Sequence, residues 1–211
     1  MATTIDATFD PDSKWRPIEE GLYPAHIASV VHKDVNTRAG EAIVVNMTYK
    51  VADAVSDVEQ PLWKMDGYKY VTDTEGNRIP EIRLDGEQAT ASCDHLKDRT
   101  FRDNGWFIFT SGSSSSKNDR YFKLLENLGI KCKEEQVDGK TVKKLVLLED
   151  SDVVGLPVKV TVRRKEFVTS ETKHLPPSEQ EKRHTFEVFQ VDPWEDGIRL
   201  TSDEVDNDVP F

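Results

Sequence analysis

The sequence predicts a mainly β chain: a small barrel or sandwich of about six or seven short strands, with one helix inserted late. Three observations lead there. AIVVNMTYKV alternates strictly, with Ile43, Val45, Met47, Tyr49 and Val51 on one face and Asn46, Thr48 and Lys50 on the other. That period of two belongs to a half-buried strand. Tyr121, Leu124, Leu125 and Leu128 recur at helical spacing, and Gly129 follows as a stop. The other apolar runs are short and separated by Gly-containing turns, which favours a barrel or sandwich over a parallel α/β sheet.

Residues 1–17 hold two prolines, several acids and no periodicity, and read as an extended arm. GLYPAHIASVVH is a strand opened by Gly21, and KDVNTRAGE, with Asn36 and Gly40, suits a hairpin turn. LWKMDGYKYV is a shorter alternation interrupted by Gly67, read as a bulge or kink. TDTEGNR is a turn, and residues 80–105 carry only weak periodicity. Trp106 to Phe109 form a short strand before a Ser-rich loop, and Ser116 to Asp119 resembles a helix cap. A Val-Asp-Gly-Lys turn falls at 137–140. In GLPVKVTVRRKEFV, Val158, Val160 and Val162 face one way while Lys159, Thr161 and Arg163 face the other. HLPPSEQEKR is a polar loop, and TFEVFQV returns as a final strand. A five-stranded barrel with one capping helix is the OB-fold pattern. The organisation expected is an arm at 1–17, an enlarged OB-like domain at 18–191 and a disordered acidic tail at 192–211.

The chain has 39 acids against 28 bases, a net charge of −11. The last twenty residues hold seven acids and one base, a net −6 that leaves −5 for the rest. The body therefore has room for a basic face. No apolar run approaches a membrane span, and MATTIDATFD lacks the basic-then-apolar order of a signal peptide. A soluble, cytoplasmic protein is expected, with Cys93 and Cys132 as free thiols. Cys93-Asp94-His95 is too tight for a usual zinc pair, and C-x-x-C is absent, so no metal site is expected. No nucleophile elbow, P-loop or dinucleotide fingerprint appears, and the five His are scattered. The chain reads as non-enzymatic and without a cofactor.

What recurs is a base beside an aromatic. Tyr49-Lys50, Trp63-Lys64 and Tyr68-Lys69-Tyr70 fall in two neighbouring predicted strands, and Arg163-Arg164-Lys165 precede Phe167 in another. Cations that track phosphates and flat rings on which unpaired bases stack are what single-stranded nucleic acid requires. Trp63, Tyr68 and Tyr70 are the candidate stacking rings. Lys50, Lys64, Lys69, Arg163, Arg164 and Lys165 are the candidate phosphate contacts. Alternation gives Tyr49 to the core and places Arg164 opposite Arg163 and Lys165.

The terminal residues Asp206, Asn207, Asp208, Val209, Pro210 and Phe211 resemble the end of bacterial single-stranded DNA-binding proteins, which finish in aspartates followed by Ile-Pro-Phe. Asn207 stands here where an acid is usual, and Val209 where the family has Ile. EGLYPAHI, YFKLLENLGI and GLPVKVTVRRKEF together resemble the arrangement of phage-encoded single-stranded DNA-binding proteins, which join an OB-fold to an acidic tail. The resemblance implies single-stranded DNA as ligand, in phage replication or recombination in a host cytoplasm. It also implies that Asp206, Asp208, Val209, Pro210 and Phe211 dock on replication, recombination and repair proteins. The alternative the composition leaves open is an acidic interaction adaptor, or a DNA mimic that binds no DNA.

Overall fold

The protein is described by a computed structural model that covers residues 16–110 and 115–206. The arm at 1–15, the centre of the Ser-rich loop and the tail residues 207–211 lie outside the described residues. The fold is mainly β, as expected. In chain order the strands are β1 (Gly21–Thr37), β2 (Gly40–Val51), β3 (Glu59–Pro61), β4 (Met65–Asp66), β5 (Lys69–Tyr70) and β6 (Thr90–Ser92). They continue with β7 (Thr100–Arg102), β8 (Trp106–Phe109), β9 (Lys133–Val137), β10 (Lys140–Lys144), β11 (Pro157–Val168) and β12 (Lys182–Pro193). The helices are α1 (Asp119–Asn127), α2 (Asp150–Val153) and α3 (Ser202–Asp206). The chain divides into two compact units, residues 60–91 with the N-terminal segment, and residues 19–59 with everything from 92 onward.

In the larger unit the strand order is β12-β11-β1-β2-β7, and β8 also pairs with β2. Every ladder is antiparallel. One isolated parallel bridge, Asp103 to Val188, links β12 to the residue after β7. No continuous ladder closes this sheet into a barrel among the described residues. The core follows the alternation over most of its length: Tyr23, Ala25 and Ile27 from β1, Val45, Met47, Tyr49 and Val51 from β2, and Val158, Val160 and Val162 from β11 are all buried. At the start of β2, however, Ala42 and Val44 are buried and Ile43, expected on the core face, is only half-buried. Each buried side chain of this size contributes about 1.5–3 kcal/mol relative to leaving it in water.

Two register shifts decide where the functional groups lie. Thr161 pairs with Gln190 but Val162 pairs with Val188, so Phe189 is the extra residue of a β-bulge. A bulge re-aims side chains. Val188 and Val191 both turn inward, while Phe189 and Gln190 both turn out. On β2, Lys50 to Thr48 face Thr100 to Arg102 and Val45 to Ala42 face Trp106 to Phe109, leaving Asp103, Asn104 and Gly105 between the two runs. Gly105 sits at φ +85°, and a Cβ there would lie 2.4 Å from Val44 Cγ1. Only glycine fits.

The helix forms where the period of 3.6 placed it, burying Tyr121, Leu124 and Leu125. The helix begins at Asp119 with Asn118 at its N-cap position, two residues beyond the expected Ser116. Asn118 instead spends its amide on β8, accepting from Phe109 N at 2.8 Å and donating to Phe109 O at 3.2 Å. The Tyr121 hydroxyl donates to Val146 O and accepts from Leu148 N, and burial pushes its pKa up to about 12.

The acidic segment, expected to be disordered from 192 onward, is packed as far as Val205. Asp192 and Pro193 complete β12, and Leu200 N donates to Gly155 O. His26 Nε2 bonds Ile198 O at 3.0 Å, and its ring lies 5.7 Å from that of Trp194. Thr201 and Glu204 cap α3, and Val205 is fully buried. Charge density hid this strap, because its few apolar residues are scattered among acids and only Val205 is fully buried.

In the smaller unit β4 and β5 form a hairpin through Gly67 and Tyr68, with Gly67 at φ +59° serving as a turn residue in place of the expected bulge. Isolated bridges at Trp63–Pro80, Thr72–Arg78 and Ile82–Gln88 extend the pairing through residues 80–91, the region with weak periodicity. Asp73 nucleates the TDTEGNR turn, its Oδ1 accepting from Glu75 N and Asn77 N.

Candidate nucleic-acid interface

The sequence-predicted site residues divide between the two units. In the smaller unit Trp63 and Tyr70 are half-buried on either side of the hairpin's base pair of strands, and Tyr68 is 78% exposed at its turn. Lys64 and Lys69 are exposed, as alternation required. Arg78, which sequence reasoning passed over, organises the rings: its guanidinium lies 4.0 Å from the Tyr70 centroid and 5.8 Å from that of Trp63. The planar cation on two aromatic faces holds both rings in place.

In the larger unit Lys50 corrects the expectation. It is only 7% exposed, and its ammonium donates to Val205 O at 3.5 Å. Strand parity did send Lys50 to the outer face of β2, but the strap covers that face, so this cation is not open to a phosphate. Lys165 pairs with Glu187 at 2.8 Å. Arg164 points to the opposite side, with its guanidinium 3.9 Å from Glu166 and 3.4 Å from His184 Nδ1. Arg163 is different: its guanidinium lies 3.7 Å from the Phe189 ring centroid, and it has no carboxylate partner among the described residues.

Phe189 carries a second guanidinium. Arg120, from the first turn of α1, lies 5.6 Å from the Phe189 ring and 4.6 Å from that of Trp106, and donates to Phe189 O at 3.1 Å. It too lacks a carboxylate partner among the described residues. Arg163, Phe189, Arg120 and Trp106 thus form a continuous row of alternating cations and rings. The row is 40% exposed at Phe189 and anchored where Trp106 enters the core. Further along β8, the rings of Phe107 and Phe109 stack 6.1 Å apart, and Lys117 lies 5.5 Å over Phe109.

A half-buried carboxylate, Asp103, holds this row from below. Asp103 Oδ2 accepts from the Trp106 indole at 2.6 Å, from the Tyr49 hydroxyl at 3.1 Å and from Met47 N at 3.2 Å, while Oδ1 accepts from Gly105 N at 3.0 Å. Burial raises the Asp103 pKa, and the four donors oppose that rise. The Tyr49 hydroxyl is driven well above its ordinary range, by burial first and then by the Asp103 charge. Trp106 is therefore fixed in the ring plane on which Arg120 rests.

Sequence reasoning missed Arg120, Phe189, Trp106, Phe107, Phe109, Lys117 and Arg78. A signal existed for Phe189: in VFQV the two valines stand three apart, and only a bulge lets both face inward. Arg120 comes to Phe189 from 69 residues away, and no local pattern announces that.

No group of three metal-ligating side chains occurs among the described residues, and no described helix is long and apolar enough to cross a membrane. Cys93 is buried and Cys132 half-buried, and the two are not joined in a disulfide. Comparison with protein-family models, with curated proteins and with solved structures finds no match to this chain.

Proposed function

We propose that this protein binds single-stranded DNA with little sequence preference, as a non-enzymatic coat. The observation that carries the reading is Phe189, set outward by a β-bulge and contacted by two guanidiniums that make no ion pair among the described residues. Rings and unspent cations in one row supply stacking, about 1–3 kcal/mol per base, together with phosphate attraction. On the smaller unit the Trp63, Tyr68 and Tyr70 rings, the first and last held by Arg78, stand with the exposed Lys64 and Lys69 to supply stacking and phosphate attraction. The net charge of −11 does not oppose this, since the acids concentrate in the strap and beyond it.

The topology supports an OB-type barrel for the larger unit. A meander of β1, β2 and the broken β7–β8 strand is followed by β11 returning to β1, with β12 bridged in parallel beside β7. This order suits a partly open, five-stranded Greek-key barrel. The residues after the strap, with Asp206, Asp208, Val209, Pro210 and Phe211 as the contacts, recruit replication and recombination proteins in the host cytoplasm of a phage.

The test is titration of a fluorescent oligo-dT with the full chain at about 50 and 200 mM salt, the range over which phosphate contacts declare themselves. Binding should weaken steeply with salt, and Arg163→Gln should reduce the slope of log K against log salt by about 0.7. Absence of binding at the lower salt overturns the reading in favour of the acidic adaptor.

A further inference from the structure

Beside the row of cations and rings lies a groove that none of the residues above explains. It has a volume of about 320 Å³, with Leu124 of α1 and Val191 of β12 among its walls, Trp106 and Phe189 at one end, and Arg120, Lys123, Asn127 and Gln190 also lining it. Leu124, Val191 and Trp106 are sealed core residues that show this groove only an edge. The amides are held in place. Asn127 Nδ2 donates to Val191 O at 2.7 Å and to Asp192 Oδ1 at 3.3 Å, and Gln190 Nε2 donates to both Asp192 oxygens. The donors of both amides are thus committed, and Asp192 is occupied with them. The Lys123 side chain is 70% exposed, and its ion pair among the described residues is with Glu126, at 3.9 Å within the helix. The groove therefore has an apolar interior, rigid polar walls and two cations one turn apart on α1.

We propose that this groove between α1 and β12 is a subsite for one nucleotide of the bound strand, with its base against the Phe189 ring over the Leu124 and Val191 edges and its phosphate on Arg120 and Lys123. This inference rests on the single-stranded DNA reading and extends it. A flat, partly apolar ring suits an exposed aromatic face above an apolar floor, and the two cations of α1 are the complement of a phosphodiester. Arg120 joins the two parts, since its guanidinium already lies on Trp106 and Phe189. The strand leaves the exposed Phe189 ring and turns across α1 instead of continuing along β8.

The experiment uses the full chain and fluorescent oligo-dT at 50 and 200 mM salt. Losing one phosphate contact shrinks the wild-type loss of affinity across that interval by about 2.6-fold, because each contact with a single strand contributes a slope of about 0.7. Lys123→Gln should show this change, while Lys144→Gln, whose lysine pairs with Glu135 on the β9–β10 hairpin, should not. Photolysis with a dT oligomer carrying 5-iodouracil should place an adduct on the peptide containing Phe189 or on that containing Trp106. If wild type binds but Lys123→Gln keeps the full salt dependence, or adducts form only elsewhere, the subsite is overturned and the general reading stands. If wild type binds no oligo-dT, both fail. If a peptide of residues 202–211 fills the groove, protecting Lys123 from acylation where oligo-dT does not, the occupant is an acidic chain end and the subsite is again overturned.

Discussion

Replacing Asp103 with alanine tests whether one carboxylate fixes both the β7–β8 junction and the ring row above it. The carboxylate receives four donors, and two of them, the Tyr49 hydroxyl and the Trp106 indole, belong to residues 0% and 4% exposed. Alanine removes every acceptor at once. A buried donor left unsatisfied costs about 1–3 kcal/mol, and the Tyr49 hydroxyl can recover part of this by rotating. Removing the half-buried charge returns its desolvation cost, the chief cause of the raised Asp103 pKa. The net loss expected is about 3–5 kcal/mol. For a domain of this size each kcal/mol moves the melting temperature by about 2–4 °C, so the midpoint should fall by roughly 6–20 °C. Asparagine should be milder, about 1–2 kcal/mol. Its carbonyl oxygen can take the three donors that reach Oδ2, and only Gly105 N then meets an amide donor. Thermal unfolding followed by circular dichroism, with tryptophan emission as a second probe, measures both variants. A midpoint for Asp103→Ala within about 2 °C of wild type, or asparagine as damaging as alanine, refutes the reasoning.

The strap offers further tests. In Gly155→Ala the new Cβ would sit 1.9 Å from Leu200 O at a φ of +79°, so the strap should detach and trypsin should cut at Arg199 in minutes rather than hours. Unchanged protection there would show that the strap is not seated by this contact. Burial first, and the nearby Lys50 charge, hold the His26 pKa below its ordinary 6.5. The unfolded chain therefore binds this proton before the folded one does, and stability should decline as pH falls from about 6.5 until the folded ring titrates. Denaturant midpoints measured across that range should show the slope in wild type and lose it in His26→Gln. Lys50→Met should leave the salt slope of oligo-dT binding unchanged and keep or raise stability, since a buried cation gives way to an apolar chain of similar length. A reduced slope would return Lys50 to the interface.

Much of the fold was legible in residue order because its signals are local. The period of two in β2 and β11 and the period of 3.6 in α1 reflect faces buried by the element's own neighbours, and Val45, Met47, Val158, Val160 and Leu124 all fall where those periods put them. Gly129 at φ +71° and the Asp73 turn were equally local. Lys50 failed because a second layer, the strap from 150 residues later, covers the face that parity assigned to water. Arg164 and Lys165 were placed on the correct faces, but the acids that engage them, Glu166 and Glu187, were weighed only as part of the total charge. The interface itself joins β8, α1, β11 and β12. Each member is ordinary in its own segment, and the row exists only once the segments meet.

The extra residue at Phe189 also sets how the hairpin beyond it can vary. Core phasing is restored between Val188 and Val191 whatever follows at the far end of β11 and β12. Paired additions near the loop at 169–181 would lengthen the arm and leave the aromatic ring indexed to the same spot, whereas an unpaired addition on one strand alone would flip every side chain between it and the tip. The reach of this arm can be adjusted in even steps without moving the place where it grips.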